Sequence, residues 1–233
     1  MEWPQLSIGT DEVHEMIRGY DCADPGLDPI ECLQQAEGPG WKLDACRFLL
    51  SQALTGSLDT RERSYLAECA AMNLASTFDV LLHEMVHYYG LSMPPKEVRW
   101  DKPFRVRLAK VDTELVELLD NVRGATWFRR AMGLRHYVTH HGGLLQHVAV
   151  HLPAGEHTYS LIGDEYFDQD AGIEPPESFR DGRLDREALL REVLDYMVEM
   201  CRVIDRVRLH CFKAAPVFEA GRRRQRLATN HEA

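Results

Sequence analysis

Apolar positions recur along most of this chain at steps of three and four, and several long stretches therefore predict helices. From about Thr60 to Gly90, one face carries Leu74, Phe78, Leu81, Leu82, Met85 and Tyr89, and Gly90 supplies a stop signal. A second helix is expected from about Phe104 to Leu119, with Leu115, Leu118 and Leu119 as its apolar stripe. A third runs from Thr126 to His141 and ends at Gly142-Gly143. A fourth, from Leu184 to Phe212, places Leu190, Val193, Leu194, Met197, Cys201 and Ile204 on one face; its length suits a bundle. Between the third and fourth the period changes, and residues 146–162 hold two short β-prone runs joined by Pro153-Ala154-Gly155-Glu156, which predicts a β-hairpin.

Residues 20–40 are rich in Pro, Gly and Asp and predict loop with one short helix, while Pro94-Pro95 and Pro175-Pro176 break the chain inside polar connections. The expected organisation is a loop-rich N-terminal extension with short helices over 1–59, a bundle of four to five helices over 60–213, and a basic, mobile tail over 214–233. No repeat or low-complexity tract is present.

Composition narrows the class. With 233 residues, 45% hydrophobic and 27% charged, the chain has material for a sizeable core and matches neither a disordered nor a membrane protein. No run approaches the ~20 apolar residues of a membrane span, and the first residues lack a basic-then-apolar signal segment. Six scattered cysteines without a Cys-x-x-Cys pair suit reduced thiols in the cytoplasm. A formal charge of −10 argues against coating nucleic acid by bulk electrostatics but allows a local basic site.

Two segments carry candidate chemistry. His83-Glu84-Met85-Val86-His87 matches H-E-x-x-H, in which histidines four apart on a helix ligate zinc and the glutamate activates the bound water. The phrase LLHEMVHYY is similar to zincin peptidases in general. Yet the position for a third histidine is Met93, and only Glu114 or Glu117 offers a carboxylate alternative. With Phe78 as zero, His83, His87 and Glu84 fall near ~140°, ~180° and ~240°, the polar side of an amphipathic helix. A solvated face that happens to spell the motif is the favoured reading.

The stronger signal lies between Asn121 and Gly155, which hold no Asp or Glu although 37 acids are spread over the chain. The same stretch has Arg123, Arg129, Arg130 and Arg135, and five of the eleven histidines: His136, His140, His141, His147 and His151. Concentrated positive charge of this kind suits phosphate contacts. Trp127, Ala131, Leu134 and Val138 form an apolar stripe, with Arg129, Gly133, His136 and His140 on the opposite face.

Arg135, a polar residue at His136, three further positions and then His140 resemble the R-x4-6-H motif of the HEPN superfamily. The wider layout over about 60–212 is similar too: an Ala-rich amphipathic helix, a helical hairpin with a tryptophan before the motif, and a long C-terminal helix. The resemblance implies an up-and-down helical bundle that dimerises and brings two motifs into one cleft. In active members this makes a metal-independent endoribonuclease that leaves a 2′,3′-cyclic phosphate and a 5′-hydroxyl, in defence or toxin–antitoxin settings.

Carried over by position, His140 is the proton-transfer residue, Arg135 stabilises charge on the pentavalent phosphorus, and His136 orients the site. Arg129, Arg130 and His141 are added here as phosphate contacts on charge alone. The partners implied are a second copy of the chain, RNA or a nucleotide, and a protein such as an antitoxin; no cofactor and no membrane are required. The rival readings are a noncatalytic HEPN scaffold or nucleotide-binding module, and a zinc peptidase using His83, His87 and Glu84. On an ideal helix, five residues separate Arg135 from His140 by ~140°. Both therefore reach one phosphate only if the last turn unwinds or the two residues come from different subunits.

Overall fold

The computed structural model describes residues 3–9, 11–13, 29–55, 57–141, 147–152, 155–161, 174–180 and 183–219. The chain is mainly helical, with α1 (Pro29–Thr55), α2 (Thr60–Tyr88), α3 (Lys102–Ala109), α4 (Thr113–Gly124), α5 (Thr126–His141) and α6 (Arg186–Ala214). Strands β1 (His147–Leu152), β2 (Gly155–Leu161), β3 (Phe179–Arg180) and β4 (Arg183–Asp185) pair antiparallel in the order β1-β2-β4-β3. Among the described residues, no helix is long and apolar enough to cross a membrane.

Aspartates start four of these helices. Asp59 and Glu62 form a reciprocal capping box at α2, each backbone amide donating to the other's carboxylate at 2.9 and 2.8 Å. Asp101, Asp112 and Asp185 accept from the amides of Phe104, Leu115 and Ala188, three residues on. At the other end of α2, Gly90 adopts a φ of 59°. The Leu91 amide returns to the Val86 carbonyl and the Gly90 amide to that of His87, a Schellman stop that a side chain at Gly90 would strain.

The chain divides into two compact units, one of residues 1–4, 42–76 and 122–200, the other of residues 5–41, 77–121 and 201–233. The first buries Leu50 of α1, Leu74 of α2, Phe128, Ala131 and Leu134 of α5, and Val193 and Met197 of α6. The second buries Phe78, Leu81 and Met85 of α2, Phe104 of α3, Leu115 of α4 and Ile204 of α6. In the second, Trp100 lies between the rings of Phe78 and Phe104 at 6.4 and 5.7 Å, while its Nε1 donates to Asp120.

Three expectations need correction. The loop expected over 20–40 is helix from Pro29 onward, and α1 runs through Gly38-Pro39-Gly40. A Cβ at Gly38 would come 2.3 Å from Val80 Cγ1 of α2, so the two helices approach at a point only glycine fits. Nor is the described part of 1–59 loop-rich: α1 dominates it, and Val13 is fully buried. Third, the single helix expected over 104–119 is two, interrupted because Asp112 caps α4 instead of continuing α3. Residues 20–28, 142–146, 153–154 and the tail from 220 lie outside the described residues.

Candidate functional site

Helix α5 carries the R-x4-H pattern. Only Ala125 separates it from α4, and the Phe128 and Arg129 amides both return to the Ala125 carbonyl, so the chain turns tightly into the helix. Phe128, Ala131, Gly133, Leu134 and Tyr137 are buried, whereas Trp127 and Val138 of the expected apolar stripe are only half-buried. Burial therefore covers more of the circumference than one stripe, Gly133 of the supposed polar face included.

Arg135 and His136 are half-buried. Thr139 Oγ1 donates back to the Arg135 carbonyl at 2.8 Å and lies 3.5 Å from Met72 Sδ of α2. The backbone stays helical through His141, which leaves positions 135 and 140 on one continuous helix; the side chains of His140 and His141 lie outside the described set. His147 and His151 stand on β1 opposite Ser160 and Glu156.

Arg129 and Arg130 are not open cations. Arg129 Nη2 pairs with Glu174 at 2.5 Å, and Arg130 pairs with Glu177 and, at 3.8 Å, with Glu174. The acid-free window that singled them out could not reveal carboxylates more than forty positions downstream. Against its own partial burial, Glu177, and then Tyr196 and Glu192, hold Arg130 above the ordinary arginine value.

The H-E-x-x-H helix face is not solvated as expected. Glu84 is 0% exposed, and its carboxylate accepts from Arg208 Nε at 2.9 Å, Arg208 Nη2 at 3.2 Å and the Tyr88 hydroxyl at 2.5 Å. Arg208 is equally buried and donates from Nη1 to the Ile8 carbonyl. Burial pushes the Glu84 carboxyl up, opposed by Arg208 and Tyr88. A carboxylate enclosed in this way has no water to activate, so it does not serve as the base of a peptidase. His83 and His87 are half-buried on the next arc of α2. Burial, and then the neighbouring His87, lower His83 below the ordinary histidine value despite Asp79. Among the described residues, no group of three or more His, Cys, Asp or Glu is placed to hold a metal ion.

A second polar node lies in the same unit. Asp112 accepts from the Tyr89 hydroxyl at 2.5 Å and the Leu115 amide at 2.8 Å, and lies 2.8 Å from His210 Nε2. His210 and Asp112 beside Cys211 suggest a nucleophile set, yet Cys211 is fully buried, its thiol pushed well up by that burial and aimed at Met85 Sδ 3.3 Å away. The node is structural. Burial alone would raise Asp112, but the hydrogen bonds of Tyr89, Leu115 and His210 outweigh it and depress the carboxyl below the ordinary value of 3.8. A depressed acid stabilises the fold above its unfolded pKa, and that stabilisation is lost as pH falls through the folded value. Asp112→Ala is therefore expected to cost about 1–3 kcal/mol at pH 7, by loss of a cap and of the contacts to buried Tyr89 and half-buried His210. The deficit should begin to close near pH 4 in thermal melts of the two proteins; a constant deficit down to pH 2 would contradict the assignment.

Comparison with protein-family models, with curated proteins and with solved structures gives no match.

Proposed function

We propose that the chain is a HEPN-like, up-and-down helical protein with a β-hairpin inserted near 146–162, acting in the cytoplasm as a homodimeric, metal-independent endoribonuclease. In this reading Arg135 stabilises the pentavalent phosphorus, His140 transfers the proton and His136 orients the site; a defence or toxin–antitoxin setting and an antitoxin partner follow from the same resemblance. What supports it is the unbroken helix α5, which ends on Arg135, His136, His140 and His141 in the segment without acids.

The RNA 2′-hydroxyl attacks its adjacent phosphate, the 5′-oxygen leaves, and a histidine near neutrality can move both protons. A noncatalytic HEPN-like scaffold or nucleotide-binding module is the second reading, favoured by the closed ion pairs of Arg129 and Arg130. The deciding experiment incubates the protein with single-stranded RNA in excess chelator. The nuclease yields 2′,3′-cyclic phosphate ends, and Arg135→Ala or His140→Ala abolishes them; intact RNA under all conditions leaves the scaffold.

A further inference from the structure

In the first unit, α5 presents two arginines to the segment 174–180, which leads into β3. That segment is held at its back by α6. Glu192 accepts from the amides of Glu177 and Ser178 at 2.6 and 3.0 Å, from Ser178 Oγ at 2.7 Å and from the Tyr196 hydroxyl. Its front carries Glu174 and Glu177 onto Arg129 and Arg130.

The close contacts are made by Arg129 Nη2 and Arg130 Nη1, whereas Arg130 Nε stands 3.8 Å from Glu174, beyond hydrogen-bond reach. Nε of both arginines is buried and, among the described residues, has no hydrogen-bond partner. A fork whose buried Nε–H makes no hydrogen bond fits its present carboxylates poorly, whereas a phosphate offers enough acceptor oxygens to engage both edges. The pairs are also weakly defended, because Glu177 is 69% exposed and Arg129 39% exposed. Pairs of that exposure are worth about 0–1 kcal/mol each and are screened by salt. Positions 129, 136 and 140 fall within one ~40° arc of an ideal helix, spread over about 16 Å of its length, so a strand that met Arg129 would run toward the R-x4-H end.

We propose that Arg129 and Arg130 form a phosphate-binding site for single-stranded RNA, and that Glu174 and Glu177 occupy it as an internal acidic strap that the RNA must displace. The ligand's identity rests on the nuclease reading; the strap rests on the pairing geometry. Closed, the site sets two glutamates on two arginines and offers a polyanion no unpaired charge. Open, it adds Arg129 in line with positions 136 and 140, with Arg130 beside it ~100° around the helix.

The test measures binding of a fluorescein-labelled oligouridylate by anisotropy across a salt series, for the full chain and for Glu174→Gln/Glu177→Gln. Removing both carboxylates should tighten binding about three- to thirty-fold. It should also steepen the salt dependence by roughly 0.7 log units per phosphate gained. Arg129→Gln/Arg130→Gln in the same background should erase the gain. The single variant Glu174→Gln, which leaves Glu177 on Arg130, should show part of the effect and guards against a folding defect in the double. Unchanged affinity and slope in a protein that still binds and cleaves RNA overturn the strap and leave the nuclease standing. Tighter binding without any cleavage keeps the strap and removes the nuclease. Failure of every variant to bind overturns both.

Discussion

Arg208→Ala is expected to destabilise the protein by about 3–5 kcal/mol, enough to unfold a marginal domain. Both members of the Glu84–Arg208 pair have 0% side-chain exposure. Deleting the guanidinium leaves a carboxylate enclosed with only the Tyr88 hydroxyl, and strands the Ile8 carbonyl as well. Burial already raises Glu84, so without its partner the carboxyl must take up a proton or draw water into the core. The sign of the pH dependence follows. An acid whose folded pKa is raised is best tolerated below its unfolded value and loses that tolerance as pH rises through the folded one. The deficit of Arg208→Ala should therefore be greatest near pH 7–8 and shrink toward pH 4–5, where Glu84 is neutral in the variant and the pair weakens in the parent.

The double variant Glu84→Leu/Arg208→Met removes both charges at similar volume and should recover most of the loss, since apolar replacements of buried ion pairs are often neutral or better. Urea denaturation of the parent, Glu84→Leu, Arg208→Met and the double variant at three pH values closes the cycle. A loss below about 1 kcal/mol in Arg208→Ala would mean that the pair is solvated in the folded protein.

Much of this was within reach of the sequence. Helix α2 follows its apolar face and its Gly90 stop, α6 follows its own, and α5 keeps its expected bounds though not its whole expected stripe, because a three-to-four period over fifteen or more residues leaves little competition. Arg208 also had a signal, for it sits at the step of four from Ile204 and three from Cys211, on the apolar stripe of α6. A charge in such a position asks for a buried partner. Glu84 was harder: it lies one arc beyond Leu81 and Tyr88, and only a helix buried over more than half its circumference encloses it. Three further features depend on distant chain. Gly38-Pro39-Gly40 stays helical because Val80 packs against the gap left by glycine. The break before α4 is fixed by Tyr89 and His210 converging on Asp112. Arg129 and Arg130 meet glutamates that no local window contains.

If the proposed nuclease site is shared between subunits, two inactive variants should rescue each other. Arg135→Ala and His140→Ala should each reduce RNA cleavage by about a hundred- to ten-thousand-fold, the scale of losing charge stabilisation or proton transfer. The unbroken helix through His141 sets the two positions ~140° apart, so one copy of α5 does not bring both to one phosphorus atom without unwinding. In a twofold dimer, Arg135 of one copy meets His140 of the other. A mixed dimer of the two variants then keeps one site with both residues intact and one with neither. Mixed in equal amounts and allowed to exchange, half the dimers are mixed and each holds one of two sites, which gives about a quarter of the parental rate. A site built within one chain gives no recovery, because every copy lacks one of its two residues. Recovery near a quarter, measured as cyclic-phosphate product in chelator, would place the chemistry across the twofold axis. Inactivity of the mixture, with both single variants folded and dimeric, would require the last turn of α5 to open instead and would remove the shared cleft.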